Sequence, residues 1–280
     1  MPERSPDPSD RLVFVHVPKT AGTTIRAALA RAYAPTERAF IYHPSVPDSV
    51  TAEALASWPE ERRRELRLIM GHIGFGIHSE LPGPSRYVTM LREPMDRLVS
   101  LFDYFRSGSF PAGTGAARQH DRLVAEDIDI DAYAFDVKHP RWDNQMVRLL
   151  SGHTDTPFGR CDETMLQESL DNIEALFHGV LLQERMGPSM KALEAIVGRA
   201  LPSLAGRQQR EGRPWRILQR AKGEVRWHNA TRGRRALDEI EPAALERMRD
   251  LNRFDVELYR IAEERFESTV GEMSLESTPN

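Results

Sequence analysis

The 280-residue sequence predicts an α/β fold in which a central, mainly parallel sheet is flanked by helices. Short apolar runs at Leu12 to Val17, Leu66 to Met70, Tyr87 to Leu91 and Val180 to Gln183 alternate with longer segments of helical period, the order that parallel strands require. Two of these runs pass directly into a signalled helix start, at Pro18 to Thr24 and again at Arg92-Glu93-Pro94. With 40% hydrophobic residues the chain can bury one large core. The expected organisation is a disordered tail over 1–11, a single domain over 12–266 and a flexible tail over 267–280.

Taken in order, Leu12 to Val17 reads as a buried strand that Pro18 ends. Ile25, Ala28, Leu29 and Ala32 then recur at i, i+3, i+4 and i+7, one buried face of a helix running to about Tyr33. The proline-punctuated stretch from Ala34 to Pro59 reads as irregular, with one short helix around Ala52 to Trp58. Leu66 to Met70 leads into Gly71-His72-Ile73-Gly74, which places His72 on a loop at a strand end. The helix after Pro94 carries an apolar stripe of Met95, Leu98, Val99, Phe102 and Phe105.

Ser107 to Ala116 reads as a loop facing the substrate. Beyond it, Arg141 to Leu150, Glu163 to Phe177 and Ser189 to Leu201 are helical by period, as are Pro242 to Leu251 and Asp255 to Phe266 near the end. Between these groups, the segment Arg207 to Arg235 sets ten Lys or Arg against Glu211 and Glu224, the composition of a basic loop or lid.

Composition removes several function classes. A net charge of -4 argues against wholesale nucleic-acid binding. Cys161 is the only cysteine, which rules out an internal disulfide and a cysteine-based zinc site and fits a reducing cytoplasm. No His/Cys/Asp cluster has metal-ligand spacing, so no metal is expected. No run approaches the ~18 to 20 apolar residues of a membrane span, and Met1 to Asp10 lacks the apolar core of a signal peptide. The expectation is a soluble, unprocessed protein. Lysine occurs only at Lys19, Lys138, Lys191 and Lys222, which singles out the one that falls within a strand-to-helix loop.

That loop, Val17-Pro-Lys-Thr-Ala-Gly-Thr-Thr24, is the strongest chemical signal. Its small residues allow close backbone approach to an anion, and free N–H groups at a helix start favour negative charge. Lys19 adds a full charge. Thr20, Thr23 and Thr24 offer hydroxyls that would serve equally as helix caps. The order differs from the G-x-x-x-x-G-K-[ST] loop of nucleotide triphosphatases, since the lysine precedes the glycine. None of the strand runs ends in an aspartate suited to magnesium, which weakens a small-molecule kinase reading.

The loop resembles the 5′-phosphosulfate loop of the carbohydrate-type sulfotransferases, the family that includes heparan sulfate 2-O-sulfotransferase and many bacterial members. A second motif strengthens the resemblance: Tyr87-Val-Thr-Met-Leu-Arg-Glu-Pro-Met-Asp-Arg-Leu-Val-Ser-Leu-Phe102 is similar to the family's strand, Arg-[Asp/Glu]-Pro, helix and serine. The resemblance implies a three-layer P-loop-like fold that binds 3′-phosphoadenosine 5′-phosphosulfate (PAPS) and releases 3′-phosphoadenosine 5′-phosphate (PAP). It implies that Lys19, Thr20, Ala21, Gly22, Thr23 and Thr24 hold the 5′ end, and that Arg92 and Ser100 hold the 3′-phosphate.

Gly71-His72 matches the family's Gly-His, which implies His72 as general base toward an acceptor hydroxyl on a carbohydrate, with Lys19 stabilising the leaving phosphate. Some members carry a further histidine two positions earlier, where this chain has Met70. Arg97, one helical turn before Ser100, reads either as support for the site or as a helix brace. His16 reads as a packed strand residue beside the loop. Asn144-Gln-Met-Val-Arg148 and Trp227-His-Asn-Ala-Thr-Arg232 are weaker echoes of the family, the second implying that Asn229, Thr231 and Arg232 close over the nucleotide. Outside the resemblance, a non-catalytic protein holding a polyanion or nucleotide through Arg207 to Arg235 remains the alternative.

Overall fold

The computed structural model describes residues 10–108, 110, 113–198, 201 and 237–276. Its centre is β1 (Arg11–Val15), buried at every position because it lies between two other strands and beneath helices on both faces. Helix α1 (Gly22–Ala32) follows, then β2 (Arg38–Ile41), β3 (Ser49–Val50), α2 (Ala52–Ala56), α3 (Glu60–Glu65), β4 (Leu68–Gly71), β5 (Ser85–Leu91) and α4 (Pro94–Arg106). Next come α5 (Gly115–Ala125), α6 (Ile130–Asp136), α7 (Gln145–Ser151), α8 (Glu163–Leu176), β6 (Phe177–Leu182), α9 (Met186–Val197), α10 (Pro242–Leu251) and α11 (Arg253–Glu276).

The strands form one sheet in the order β3-β2-β4-β1-β5-β6, and every pair is parallel. The period of two along β1 divides the core. Leu12 and Phe14 pack toward Ile25, Leu29, Leu193 and Val197 of α1 and α9, while Val13 and Val15 pack toward Val147, Leu166 and Leu258 of α7, α8 and α11. The predicted three-layer α/β architecture is therefore present. A third apolar cluster, around Leu98, Phe105, Tyr133 and Trp142, joins α4, α5 and α6 to α10 at one flank.

Several boundaries differ from the sequence reading. β1 begins at Arg11, one residue inside the expected tail, because the buried Arg11 guanidinium donates to the carbonyls of Leu66, Arg63 and Pro82. The stretch from Ala34 to Pro59 is not irregular throughout, since β2 and β3 lie within it. Both are too short to show a period and are strands only through pairing, β2 in register with β4 from Arg38↔Leu68 to Ile41↔Gly71 and β3 alongside β2. Gly71 ends β4 rather than opening a turn. A Cβ there would stand 2.1 Å from the Ile41 carbonyl oxygen, so only glycine lets β2 and β4 close at this end. The expected helix from Arg141 divides into a short 3-10 helix at Pro140–Trp142 and then α7. At the C-terminus, α11 continues to Glu276, past the boundary at Phe266.

The division before α7 has a polar cause. Asn144 sits in a left-handed conformation at the N-cap of α7 (φ 46°), and its Oδ1 accepts from the backbone N–H groups of Phe254 and Asp255 in the first turn of α11. Asp255 returns the arrangement, its carboxylate accepting from Met146 N at 3.1 Å and Val147 N at 2.9 Å in the first turn of α7. Each helix thus caps the other. Asn252 closes the knot by accepting from Asn144 N and donating to the Trp142 and Met248 carbonyls. The Arg97 guanidinium, wholly buried on α4, lies 3.8 Å from Asp255.

Asp255→Ala removes two cap bonds and leaves a buried guanidinium without its carboxylate. We expect a loss of about 2–4 kcal/mol in urea unfolding, with the slope against denaturant unchanged. An Asn144→Ala loss of a few tenths of a kcal/mol would show that the reciprocal cap is not what holds α7 on α11.

Candidate functional site

The carboxyl ends of β1, β4 and β5 point the same way, and the chain leaves β1 toward β2 on one side while β4 crosses to β5 on the other. Open α/β sheets bind ligands in the crevice such a switch creates. In-register pairing of Val15 with Gly71 and with Thr89 brings the residues that follow each strand to one level. His16 N donates to the Gly71 carbonyl at 2.8 Å, and His72 N to that of Ile41 at 3.1 Å. The two histidines consequently emerge side by side.

Between β1 and α1 the backbone winds through two left-handed non-glycine residues, Lys19 at φ 75° and Ala21 at φ 59°. Each costs about 1–2 kcal/mol in an L-residue, and the alternation gathers successive N–H groups into a concavity suited to an anion. Ala21 is the N-cap of α1, and no side chain caps the helix there. The threonines therefore do not serve as caps, which leaves the helix start open to a ligand. Buried Thr20 donates its hydroxyl to the Val17 carbonyl at 2.8 Å, so its hydroxyl hydrogen braces the loop. Thr23 and Thr24 are half-buried in the first turn.

Gly22 has a reason that its φ does not reveal. A Cβ at this position would lie 1.7 Å from His16 Nε2, so α1 begins in direct contact with the imidazole. The opposite ring nitrogen, Nδ1, is 2.9 Å from the Tyr42 hydroxyl. His16, Tyr42 and His72 form a ring cluster, with centroids 4.6 Å apart for His16 and His72 and 4.9 Å for Tyr42 and His72. Burial, reinforced by the charges of Lys19, Arg26 and Arg141, lowers the His16 pKa to about 3. The pKa of His72 also falls well below 6.5, through desolvation first and then the proximity of His16 and Arg141. Its ring is open to solvent in the cleft, which moderates the desolvation until something covers it.

Lys19 is half-buried, with Nζ 4.5 Å from the centroid of the Tyr104 ring on α4. Burial and the Arg92 charge lower its pKa to about 8, against the opposing effect of Asp103, so it remains a cation at neutral pH. Arg92, buried at the end of β5, donates to the Lys19 carbonyl at 3.1 Å and so joins the second motif to the first. Ser100 is buried two turns into α4, and its hydroxyl makes no hydrogen bond among the described residues. Arg97 fits the brace reading: it is fully buried, it donates to the Arg141 carbonyl at 3.2 Å, and its charge meets Asp255.

The structure therefore brings together Lys19, Thr20, Ala21, Gly22, Thr23, Thr24, His72 and Arg92, with Ser100 on the adjoining helix. Asn229, Thr231 and Arg232, like the whole basic segment Arg207 to Arg235, lie outside the described residues. Sequence reasoning missed Tyr42, Tyr104 and Arg141. Tyr42 follows a strand that shows no period, Tyr104 lies off the apolar stripe of its helix, and Arg141 looked like the start of a helix.

The family described as Galactose-3-O-sulfotransferase matches residues 1–238. Among solved structures, mouse sulfotransferase SULT7A1 complexed with PAP aligns at 14% identity with a TM-score of 0.32, over 70% of this chain and 61% of its own. This chain thus spans less than two thirds of that structure. A comparison with curated proteins finds no match. No helix among the described residues is long and apolar enough to cross a membrane.

Two outcomes test the site's construction. Gly22→Ala forces either the His16 ring or the start of α1 to move, and we expect a loss of about 1–3 kcal/mol in stability, measured by chemical unfolding. His16 binds its proton far less readily when folded than when unfolded. Its contribution to stability is therefore complete above pH 6.5 and is lost as the pH falls from there toward 3. The unfolding midpoint should drop across that window, and His16→Gln should remove up to about 1.4 kcal/mol per pH unit of the slope. An unchanged slope in the variant would rule out a neutral, buried His16.

Proposed function

The chain belongs to the galactose-3-O-sulfotransferase family, and on that premise we propose that it transfers a sulfuryl group from PAPS to a carbohydrate hydroxyl, with His72 as general base. One observation carries the reading: an uncapped, left-handed anion loop with a cation, Lys19, opens onto the same strand ends as a solvent-open histidine of lowered pKa.

The residues present fit the donor at both ends. The loop N–H groups, Lys19, Thr23 and Thr24 would hold the 5′ end, with Thr20 holding the loop in shape. Arg92 and the unengaged Ser100 hydroxyl would hold the 3′-phosphate. Asn229, Thr231 and Arg232 would close over the nucleotide from the segment that precedes α10. The donor supplies, when bound, a sulfuryl group activated by its anhydride link to the 5′-phosphate.

His72 takes the hydroxyl proton as the new O–S bond forms. Its lowered pKa keeps the ring neutral, and so able to accept, at neutral pH. Lys19 meets the charge that develops on the phosphate oxygen as the old S–O bond breaks, and the product is PAP. Lys19 is suited to this as a fixed, half-buried cation. The family's name makes a galactose 3-hydroxyl the first acceptor to try.

PAP should raise the melting temperature of the purified protein, whereas ATP with magnesium should not. The reverse pattern would refute the donor assignment. His72→Ala should keep PAP binding within about threefold while kcat falls about 10²–10⁴-fold, the usual range for a general base. Because protonation silences the base, the acid limb of kcat/KM should lie below pH 6.5. Full activity in His72→Ala would remove the residue from the chemistry.

A further inference from the structure

We propose that Tyr42 is a positioning residue for the His72 base, its ring walling one side of the imidazole while its hydroxyl clasps His16 on the other. The inference rests on the base reading above and goes beyond it, since position 42 belongs to neither motif.

Strand pairing puts the three side chains in one row. The strands run in the order β2-β4-β1, and Ile41, Gly71 and Val15 are their last residues, in register with one another. Two bonds carry the ladder one step past them, from His72 N to the Ile41 carbonyl and from His16 N to the Gly71 carbonyl. Tyr42, His72 and His16 are therefore consecutive members of the next row, with His72 on the middle strand. Neighbouring strands lie about 4.8 Å apart. The ring centroids repeat that spacing, at 4.9 Å for Tyr42 and His72 and 4.6 Å for His72 and His16.

The outer two rings are tied together across the middle strand. The Tyr42 hydroxyl oxygen lies 2.9 Å from His16 Nδ1, although β2 and β1 are not neighbours in the sheet. Each outer ring has a further anchor on α1. His16 is buried against the helix start at Gly22, and the Arg26 guanidinium lies 5.2 Å from the centroid of the Tyr42 ring. Burial raises the Tyr42 pKa, so the hydroxyl keeps its proton.

His72 has no such tether of its own. It is exposed, and among the described residues its imidazole makes no hydrogen bond to the protein. A base that must meet a hydroxyl proton within hydrogen-bond reach needs a set orientation, which a third group commonly supplies through a hydrogen bond. Here ring contacts supply it, from His16 tilted at 42° and from Tyr42 edge-on at 80°. Phenylalanine at position 42 would keep the edge-on wall and lose the clasp on His16. Leucine would lose both.

A double-mutant cycle with His72→Ala tests the role, because a residue that acts only through the base has nothing left to act on once the base is gone. With His72 present, Tyr42→Phe should lower kcat about three- to tenfold and Tyr42→Leu about 30-fold or more, the cost of a misplaced reacting group. PAP affinity, measured by calorimetry, should stay within about twofold in both. With His72→Ala, neither substitution should change the residual kcat by more than about twofold. The proposal is overturned by equal losses in the two backgrounds, by PAP affinity that falls together with kcat, or by unchanged kcat in both single variants. Should Tyr42→Leu fail to fold, the cycle is closed with Tyr42→Phe alone and the same outcomes decide. Full activity in His72→Ala, or no binding of PAP by the wild-type protein, would instead defeat the base or donor reading beneath the proposal, so the two failures are distinguishable.

Discussion

The contact between Gly22 and the His16 imidazole is the constraint on which the rest of the site depends. Helix α1 can start over the end of β1 only because position 22 has no Cβ, the nearest ring atom being 1.7 Å from where that carbon would be. The short approach makes the connecting loop wind through left-handed Lys19 and Ala21, and that winding turns the backbone N–H groups inward. On its other side the same ring is fastened to Tyr42 and lies against His72. The anion loop and the proposed base are thus two neighbours of one buried ring. Their separation is set by the pairing of β1 with β4, not by a flexible loop.

A second fixed point stands at the opposite wall of the cleft. The mutual caps of α7 and α11, made by Asn144 and Asp255, hold the chain that leads into α7 against the last helix. Arg97 ties this knot to α4, since its guanidinium reaches both Asp255 and the Arg141 carbonyl. Buried polar groups of this kind add little net stability when compared with an apolar replacement, but their directionality holds a unique arrangement. Here the arrangement also fixes the backbone of Arg141, whose carbonyl accepts from Arg97.

The electrostatics of the cleft follow from these two walls. Arg92 acts on Lys19, and Lys19, Arg26 and Arg141 act on His16, each cation making a further positive charge there less favourable. His16 and His72 respond by remaining neutral, and Lys19 by holding its proton less firmly. An environment of this sign is poised for a ligand with several negative charges, and binding such a ligand relieves the repulsion that the fold maintains. A neutral imidazole among cations is also one that can accept a proton.

Much of this was legible in the sequence because it is local. The strand-loop-helix order, the lone lysine before Ala21-Gly22 and the Arg-Glu-Pro motif are properties of short contiguous segments whose backbone preferences and charges act within a turn or two. They determined the layered fold, the anion loop and the candidate base. The tertiary structure alone decided what depends on strand pairing and on helices meeting far from one another in the chain. It converted Ala34 to Pro59 from an irregular stretch into a source of two strands, because β2 becomes a strand only beside β4. It gave Gly22 and Gly71 steric reasons invisible in their local context, and it joined Asn144 to Asp255 across more than a hundred residues. It also put the charge of Arg141 where His16 and His72 feel it, since a side chain's electrostatic neighbours are fixed by packing and not by spacing along the chain.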